Sequence, residues 1–317
     1  MGLNERQYRA AESRYWEVEG VLPTETWVRL PRIGTRVRIQ VAGEGPPVLF
    51  VHGGSINGTC FAPLVARLSD FRCLVLDRPG CGLSERLPAR VSDVATFAIS
   101  AETLIVDVLD ALEIEQADIV ATSLGGYHAL RTAVAHPSRI RRVLELGFPI
   151  GAPNGPMPFV MRLAGVRGVV RLMTRLPVSE RAVRSMLAQI GLRRALAEGR
   201  VPQEGIEWFR ALLRYTDTMK NDLDASPILH GLRGVNPAIL LDDEMLGGIQ
   251  VPMLFLWGAE DQFGGEPVAR SFVAKVHGAR LVVIPESGHV VWLDDPDGIA
   301  ESTREFLAAP SVAHQGP

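Results

Sequence analysis

Ser123 is the residue in this sequence best placed to act as a nucleophile. It follows a β-branched, apolar run at 117–122, and a helical pattern rich in Ala and Leu begins directly after it. A serine on a tight strand-to-helix turn needs small residues two positions before and after it, because the backbones pass closely there. Ala121 and Gly125 meet that requirement. The alternative interpretation is an ordinary helix N-cap.

Four other segments carry motifs that accompany such a serine. They are 47–55, ending in His-Gly-Gly-Ser, 73–84, containing Asp-Arg-Pro-Gly-Cys-Gly, 253–261, ending in Glu-Asp, and 282–289, ending in Ser-Gly-His. In these motifs the chain resembles the α/β-hydrolase superfamily, over roughly residues 25 to 308. The chain order Ser, then Asp, then His is the signature of that superfamily and differs from the order in other triad folds.

His289 is the predicted catalytic base. A serine hydroxyl is a weak nucleophile until a neighbouring base removes its proton. His289 lies just past the last strand pattern, and the small residues Ser287 and Gly288 before it let the loop fold toward Ser123. The other histidines are expected to pack, to lie in solvent or, for His230, to contact substrate. No histidine has a metal-ligand spacing such as His-Glu-x-x-His, so neither a metal nor a cofactor is expected.

Two carboxylates compete for the role of the acid that orients the base. Asp261 follows the run 253–257 and matches the usual acid position of the superfamily that the chain resembles. Glu145 lies near the end of the run 140–147, where some members of that fold carry their acid. A contact to the cap or to substrate is the plain alternative for Glu145. The resemblance favours Asp261, with Glu145 as the alternative acid.

Two backbone N–H groups are predicted to form the oxyanion hole. Gly54 follows the His-Gly pair and has no side chain to obstruct the site, and Leu124 follows the serine at a helix N-terminus. Such donors stabilise the negative oxygen of a tetrahedral intermediate. His52, beside Gly54, is interpreted as structural. The serine also excludes the superfamily members that form an ester intermediate on an aspartate.

The patterns that must position these residues alternate between strand and helix. Residues 1–20 form an amphipathic helical lead-in, and 25–42 alternate as an antiparallel pair at a sheet edge does. Strand patterns follow near 47–52, 72–77, 117–122, 140–147, 251–257 and 280–284, with helical patterns near 59–69, 95–113, 124–136, 266–277 and 296–308. The predicted fold class is therefore α/β, with a mostly parallel eight-stranded α/β-hydrolase sheet and helices on both faces.

One interval, 149–247, interrupts this alternation with prolines and helical patterns. We interpret it as a helical cap over the carboxyl ends of the strands, where open α/β sheets bind ligands. Apolar side chains of this interval are expected to line a pocket, among them Phe159, Met161, Leu163, Trp208 and Phe209. The predicted organisation is a hydrolase core at 1–148 and 248–309, the cap at 149–247 and a tail at 310–317.

Composition limits the partners and the compartment. With 317 residues, of which 47% are hydrophobic and 22% charged, the chain can bury a large core. A net charge of −3 gives no field suited to nucleic acid, and no apolar run is long enough to span a bilayer. The charged first residues and the three cysteines, which show no metal spacing and cannot all pair, predict a reducing cytoplasm.

The predicted function is a capped serine hydrolase that cleaves a small-to-medium apolar ester, lactone or thioester through an acyl-enzyme. A carbon–carbon bond hydrolase or a proline iminopeptidase-like enzyme is the alternative on the same fold, although Ser55-Ile56-Asn57 replaces the Pro-Gly that many of those relatives carry after Gly54. A non-catalytic ligand-binding protein is the alternative from another class. The expected partner is a small apolar substrate, and the sequence does not determine the oligomeric state.

Overall fold

The computed structural model describes residues 4–88, 91–153, 178–231 and 234–309. Its strands are β1 Thr24–Arg29, β2 Arg36–Ala42, β3 Pro47–Val51, β4 Arg72–Leu76, β5 Ala117–Ala121, β6 Ile140–Leu146, β7 His230–Gly231, β8 Gly234–Val235, β9 Met253–Gly258 and β10 Arg280–Ile284. Eight of them form one sheet in the order β1-β2-β4-β3-β5-β6-β9-β10, and β7 pairs with β8 alone. Only β1–β2 and β2–β4 are antiparallel in the large sheet. The predicted eight-stranded, mostly parallel sheet with an antiparallel edge pair is confirmed.

Helices cover both faces of this sheet. They are α1 Glu5–Val18, α2 Ala62–Val65, α3 Val94–Ala111, α4 Leu124–Ala135, α5 Glu180–Leu187, α6 Arg193–Ala197, α7 Gln203–Tyr215, α8 Thr218–Leu229, α9 Asp243–Gly247, α10 Glu266–Val273, α11 Val291–Asp294 and α12 Pro296–Ala308. Side chains alternate along each strand, so β5 places Val120 in one apolar cluster with α1, α2 and α12, and Ile119 in the other with α3, α4 and α10. The predicted α/β class with helices on both faces is confirmed.

The helix predicted near 59–69 is shorter than expected. A 3-10 turn at Gly58–Phe61 leads into α2, which is a single turn. Pro63 lies in the first turn of α2, where the missing N–H group leaves no helical hydrogen bond unmade. The apolar side chains that carried the pattern, Leu64 and Leu68, are still buried in the core.

Between β6 and β9 the described residues contain no strand of the large sheet. We refer to residues 178–231 and 234–247 as the helical insertion; they contain α5 to α9, the β7–β8 hairpin and a π-helical turn at Ala188–Leu192. The helices agree with the helical patterns of that interval. The assignment of residues 149–247 as a cap stays a prediction. The expected pocket residues Phe159, Met161 and Leu163 lie outside the described residues.

Helix α1 packs against helix α7 of the insertion. The rings of Tyr15 and Trp208 stack with their centroids 5.2 Å apart, and the Asn4 N–H group donates to the Tyr215 carbonyl at 3.0 Å. The sequence led us to expect Trp208 to line a pocket, and in the structure its ring packs against α1. The sequence pattern indicated that Trp208 is buried but did not indicate its partner. The neighbouring Phe209 is also buried.

A buried ionic cluster fixes the other side of α1. The Arg38 guanidinium is fully buried and donates to Glu12 at 2.6 Å, and it lies 3.2 Å from Asp77. Tyr8 and Thr59 donate hydroxyl hydrogen bonds to the same Glu12 oxygen. Burial raises the pKa of Asp77 to about 6, and the Arg38 charge opposes that rise. A buried arginine is tolerated here because carboxylates surround it.

Two further expectations can be compared with the described residues. Within them, no helix combines the length and apolar character needed to cross a membrane. Cys60, Cys73 and Cys81 are buried free thiols, as expected for cysteines that behave as small apolar residues.

Candidate active site

Ser123 stands on a strained turn between β5 and α4. Its backbone has φ 55° and ψ −113°, a conformation that non-glycine residues rarely adopt. An N-cap residue usually has an extended backbone and accepts a hydrogen bond at its side chain. Ser123 has neither feature, since its side chain makes no capping hydrogen bond. A strained serine between a strand and a helix is the arrangement that a nucleophile elbow requires.

The small residues around Ser123 are required by close backbone contacts. A Cβ atom on Gly125 would lie 2.0 Å from the Val51 carbonyl oxygen, and one on Gly53 would lie 3.0 Å from the Ser123 Cβ atom. A side chain at position 125 would require a backbone segment to move, and one at position 53 would press on the Ser123 side chain. These contacts bring the loop after β3 directly against the elbow.

His289 and Asp261 form a hydrogen-bonded pair. The Asp261 Oδ2 atom lies 2.8 Å from His289 Nδ1, and both side chains are buried. Two backbone N–H groups also donate to this carboxylate, from Phe148 at 3.1 Å and from Phe263 at 3.0 Å. The Phe263 ring contacts the imidazole edge-on at 4.7 Å. With Nδ1–H donating to Asp261, the other ring nitrogen is left as the acceptor that a base needs.

Adjacent strand ends carry this pair and the serine. Strands β5 and β6 are parallel neighbours, and the Thr122 hydroxyl donates to the Leu146 carbonyl at 2.6 Å, so Ser123 and Gly147 lie at the same edge of the sheet. A Cβ atom on Gly147 would lie 3.4 Å from His289 Nδ1. Among the described residues, neither Ser123 Oγ nor His289 Nε2 makes a hydrogen bond. Such contacts often tighten only when substrate binds.

Glu145 lies beneath the elbow, and its described surroundings do not include a histidine partner. Its carboxyl group packs on the α4 backbone, where a Cβ atom on Gly126 would lie 2.2 Å from Oε1. Both oxygens are buried without a hydrogen-bond partner among the described residues. Burial raises the pKa of Glu145 well above its ordinary value of 4.5, and the nearby Ser123 N–H group opposes that rise. Burial therefore disfavours the charged form of Glu145, which is the form that would stabilise an imidazolium.

The predicted oxyanion donors lie on either side of the serine. We call residues 52–55 the oxyanion loop. Gly54, in this loop, is exposed, and the Leu124 N–H group is the first of α4. Neither N–H group donates to another described residue. The first N–H groups of a helix have no partner within the helix, so that of Leu124 is free to bind an anionic oxygen.

His52 and His128 are unsuited to act as bases. His52 is fully buried, and its Nε2 atom accepts a hydrogen bond from the Arg78 backbone at 3.0 Å. Burial and the nearby Arg78 charge lower the pKa of His52 well below its ordinary value. The same two causes lower the pKa of His128 to about 3. His52 is a structural residue of the oxyanion loop in its described contacts, as the sequence indicated.

The sequence did not indicate the contacts that hold the oxyanion loop. The Arg78 guanidinium donates to the carbonyl groups of His52 at 3.1 Å and Gly53 at 2.8 Å. It also donates to Asp222 of α8 at 3.1 Å, and the same Asp222 oxygen accepts from the Ser55 N–H group. The Asp-Arg-Pro-Gly motif marked a turn near the site, but no pattern in α8 singled out Asp222.

The helical insertion also touches the loop of His289. The His289 N–H group donates to the Ile190 carbonyl at 3.3 Å. Gly191, with φ +100°, packs on Gly288, and a Cβ atom on Gly191 would lie 2.6 Å from the Gly288 Cα atom. From the other side, Asp294 accepts hydrogen bonds from the Ser287 hydroxyl at 2.8 Å and the Gly288 N–H group at 3.0 Å. The loop is therefore held by both the core and the insertion.

The residues described here contain no cluster of His, Cys, Asp and Glu that could hold a metal ion. The arrangement around Ser123 instead offers a hydroxyl nucleophile, an oriented imidazole and free backbone donors. Together these groups are suited to acyl transfer.

The sheet, the elbow and the His–Asp pair define an α/β hydrolase. The chain belongs to the alpha/beta hydrolase family, whose model matches residues 48–302. Relatives that match most of the chain are hydrolases, and we conclude that this chain is a hydrolase of that family.

Two relatives are hydrolases of oxo-dienoate acids. A 2-hydroxy-6-oxononadienedioate/2-hydroxy-6-oxononatrienedioate hydrolase of Paraburkholderia xenovorans is 26% identical over 90% of this chain and 96% of its own length. A 2-hydroxy-6-oxo-6-phenylhexa-2,4-dienoate hydrolase of Burkholderia cepacia is 27% identical over 86% of this chain and 91% of its own.

A solved structure of another reaction class shares the fold. Carboxylesterase CesB (YbfK) of Bacillus subtilis superimposes with a TM-score of 0.74 at 20% identity, covering 96% of this chain and 98% of its own. At that identity the likeness concerns the fold alone.

Proposed function

We propose that this protein is a serine hydrolase that cleaves uncharged carboxylic esters, lactones or thioesters through an acyl-enzyme. The observation that supports this most is the strained backbone of Ser123, at φ 55°, beside the 2.8 Å hydrogen bond between His289 and Asp261. Strain of this kind persists only where the surrounding structure holds it, and it concentrates at functional sites.

The proposed reaction assigns a role to each residue of the site. The Ser123 Oγ atom attacks the substrate carbonyl carbon while His289 Nε2 takes the hydroxyl proton. The N–H groups of Gly54 and Leu124 donate to the resulting oxyanion. His289 returns the proton to the departing alcohol or thiol, and the ester bond to Ser123 is then hydrolysed by a water molecule that His289 activates in the same way.

Asp261 is the proposed acid. Its buried carboxylate fixes the orientation of His289 and stabilises the imidazolium that forms in each proton transfer. Glu145 is excluded from this role in the proposal, because its described contacts are with the elbow backbone and its burial favours the neutral form. The helical insertion is proposed to act as the cap that bounds the substrate site.

The charge near the oxyanion loop favours an uncharged acyl group. Asp222 places a carboxylate 3.8 Å from the position of a Cβ atom on Gly54, and the Arg78 cation beside it is already paired with this carboxylate. A substrate carboxylate at this point would lie near the Asp222 carboxylate, and the Arg78 charge beside it is already paired. An ester without charge near the reacting carbon avoids that repulsion.

The second candidate is hydrolysis of a carbon–carbon bond in an oxo-dienoate acid, and the two relatives named above support it. Both candidates use the same serine, so mutation of Ser123 cannot separate them. They differ in substrate charge, since the names of those relatives denote carboxylic acids.

A substrate panel tests the proposal. Purified protein would be assayed with p-nitrophenyl esters of increasing acyl length, with lactones, and with 2-hydroxy-6-oxo-6-phenylhexa-2,4-dienoate. We expect kcat/KM to rise a few-fold per added carbon up to an optimum, because a buried methylene contributes about 0.8 kcal/mol. A kcat/KM for the dienoate that exceeded the best ester would transfer the assignment to the second candidate. Failure of a fluorophosphonate probe to label Ser123 would favour a non-catalytic protein.

A further inference from the structure

We propose that Asp222 of the helical insertion is a positioning residue for the oxyanion loop. The inference rests on the proposed function and extends it, because it gives the insertion a part in assembling the site rather than only in bounding the substrate. Asp222 touches neither Ser123 nor His289 in its described contacts. It acts through the backbone on either side of Gly54.

The contacts of Asp222 bridge the two ends of the loop. Its Oδ2 atom accepts from the Ser55 N–H group and from Arg78 Nη2 at 3.1 Å. Arg78 in turn donates to the carbonyl of Gly53 at 2.8 Å. The peptide groups before and after Gly54 are thereby connected through one ion pair, whose partners are 7% and 10% exposed.

This bridge holds a conformation that the loop would not favour alone. Ser55 has φ +56°, in the left-handed region that non-glycine residues adopt at a cost. A carboxylate accepting the Ser55 N–H group offsets that cost with a charge-assisted hydrogen bond. The preferred alternative for Ser55 is an extended backbone, and that change would rotate the peptide groups next to Gly54.

The direction of the Gly54 N–H group decides how well it stabilises the oxyanion. A donor must lie about 2.7–3.1 Å from the position of the oxyanion, and loss of one donor typically lowers kcat about 10²–10³-fold. A misdirected donor loses part of that effect. The position of Asp222 therefore links the packing of α8 to the rate of the chemical step.

The test compares Asp222→Ala and Asp222→Asn with the unchanged protein, at a temperature where every variant is folded. We expect Asp222→Ala to lower kcat about ten- to hundred-fold with KM changed less than about three-fold. The rate of fluorophosphonate labelling of Ser123 should fall in parallel, because the phosphonyl oxygen occupies the same hole. In Asp222→Asn a carbonyl oxygen can still accept from Ser55, so its kcat should fall only about three- to ten-fold.

Asp217→Ala is the matched control. Asp217 directly precedes the same helix and also pairs with an arginine of the core, Arg86 at 3.1 Å, but this pair is exposed and has no described hydrogen bond to the oxyanion loop. We expect its kcat and labelling rate to stay within about two-fold of the unchanged protein. A purely structural role for Asp222 would instead lower the melting temperature and leave kcat of the folded protein unchanged.

Three results would overturn the inference. They are a kcat of folded Asp222→Ala within two-fold of the unchanged protein, a rise in KM without a fall in kcat, and a labelling rate that does not change. If Asp222→Ala does not fold, Asp222→Asn is judged by the same criteria. Failure of the proposed function is distinguishable in the unchanged protein: Ser123 would resist labelling if the protein were not catalytic, and kcat/KM for the dienoate would exceed that for the best ester if the second candidate were correct.

Discussion

Asp261 Oδ2 lies 2.8 Å from His289 Nδ1 and at the same time accepts a hydrogen bond from the backbone of Phe148, the second residue after β6. The carboxylate thus joins the loop after β9 to the end of the strand next to the nucleophile. Because the backbone contact fixes the carboxylate, the imidazole is oriented before any substrate binds. The predictions below test this arrangement and the groups around it.

Ser123→Ala and His289→Ala should each abolish turnover while the protein stays folded. Members of a triad act as a unit, so the double variant should be little slower than either single one. Steady-state kinetics with the best ester, alongside circular dichroism, measure both effects. Retention of more than about a tenth of the activity in Ser123→Ala would show that another residue is the nucleophile.

Asp261→Asn should lower kcat about 10³–10⁴-fold, because the amide favours the wrong imidazole tautomer and carries no charge. Glu145→Gln should leave kcat within a few-fold, since burial already favours an uncharged Glu145 side chain. The comparison uses kcat and KM of both variants on one substrate. The reverse order of the two kcat values would make Glu145 the acid.

Glu145→Gln should change the pH dependence of stability. The pKa of Glu145 is raised on folding, so its contribution to stability is fully present below about pH 4.5 and is lost as pH rises toward the folded-state pKa. The loss is at most about 1.4 kcal/mol per pH unit across that window. Glutamine does not ionise, and the melting temperature of the variant relative to the unchanged protein should therefore be higher at pH 8 than at pH 5. An equal difference at both pH values would contradict this.

Gly191→Ala should lower activity more than Gly199→Ala. Both glycines have positive φ, +100° and +69°, so both substitutions cost about 1 kcal/mol or more through the backbone. A methyl group on Gly191 also meets Gly288 beside the base, whereas one on Gly199 meets nothing within 4 Å. We expect at least about a ten-fold lower kcat for Gly191→Ala, because a small displacement of a catalytic group is costly. Equal kcat values in the two variants would show that the insertion does not position His289.

The core of the fold was predictable because its signals are local. Short apolar runs mark the parallel strands, most clearly at 48–51 and 253–257. The small residues around Ser123 are dictated by contacts with the next segment, such as that of Gly125 with Val51. The pairing of His289 with Asp261 followed from the resemblance and is consistent with the geometry found. The residue patterns alone left Glu145 as an alternative to Asp261, because Glu145 lies near the end of one strand pattern and Asp261 follows another.

Contacts between the insertion and the core were not predictable. Asp222 contacts Ser55 and Gly191 contacts Gly288, and both partners lie far away in the chain. Neither Asp222 nor Gly191 belongs to a motif. Trp208 shows the same limit, since its apolar character indicated burial but could not indicate Tyr15 as the partner. Side-chain partners across a domain depend on three-dimensional packing, which periodicity within one element does not encode.

Helix α1 has a consequence for the order in which the chain folds. Two of its partners lie far apart in the chain, Arg38 in β2 and Trp208 in α7. Contacts so distant in sequence form late, because closing long loops costs entropy before any contact is gained. During synthesis the apolar face of α1, including Tyr15 and Trp16, therefore stays uncovered until α7 has emerged and folded. Helix α1 is thus expected to complete its packing only after α7 has folded, and its uncovered apolar face favours aggregation until then.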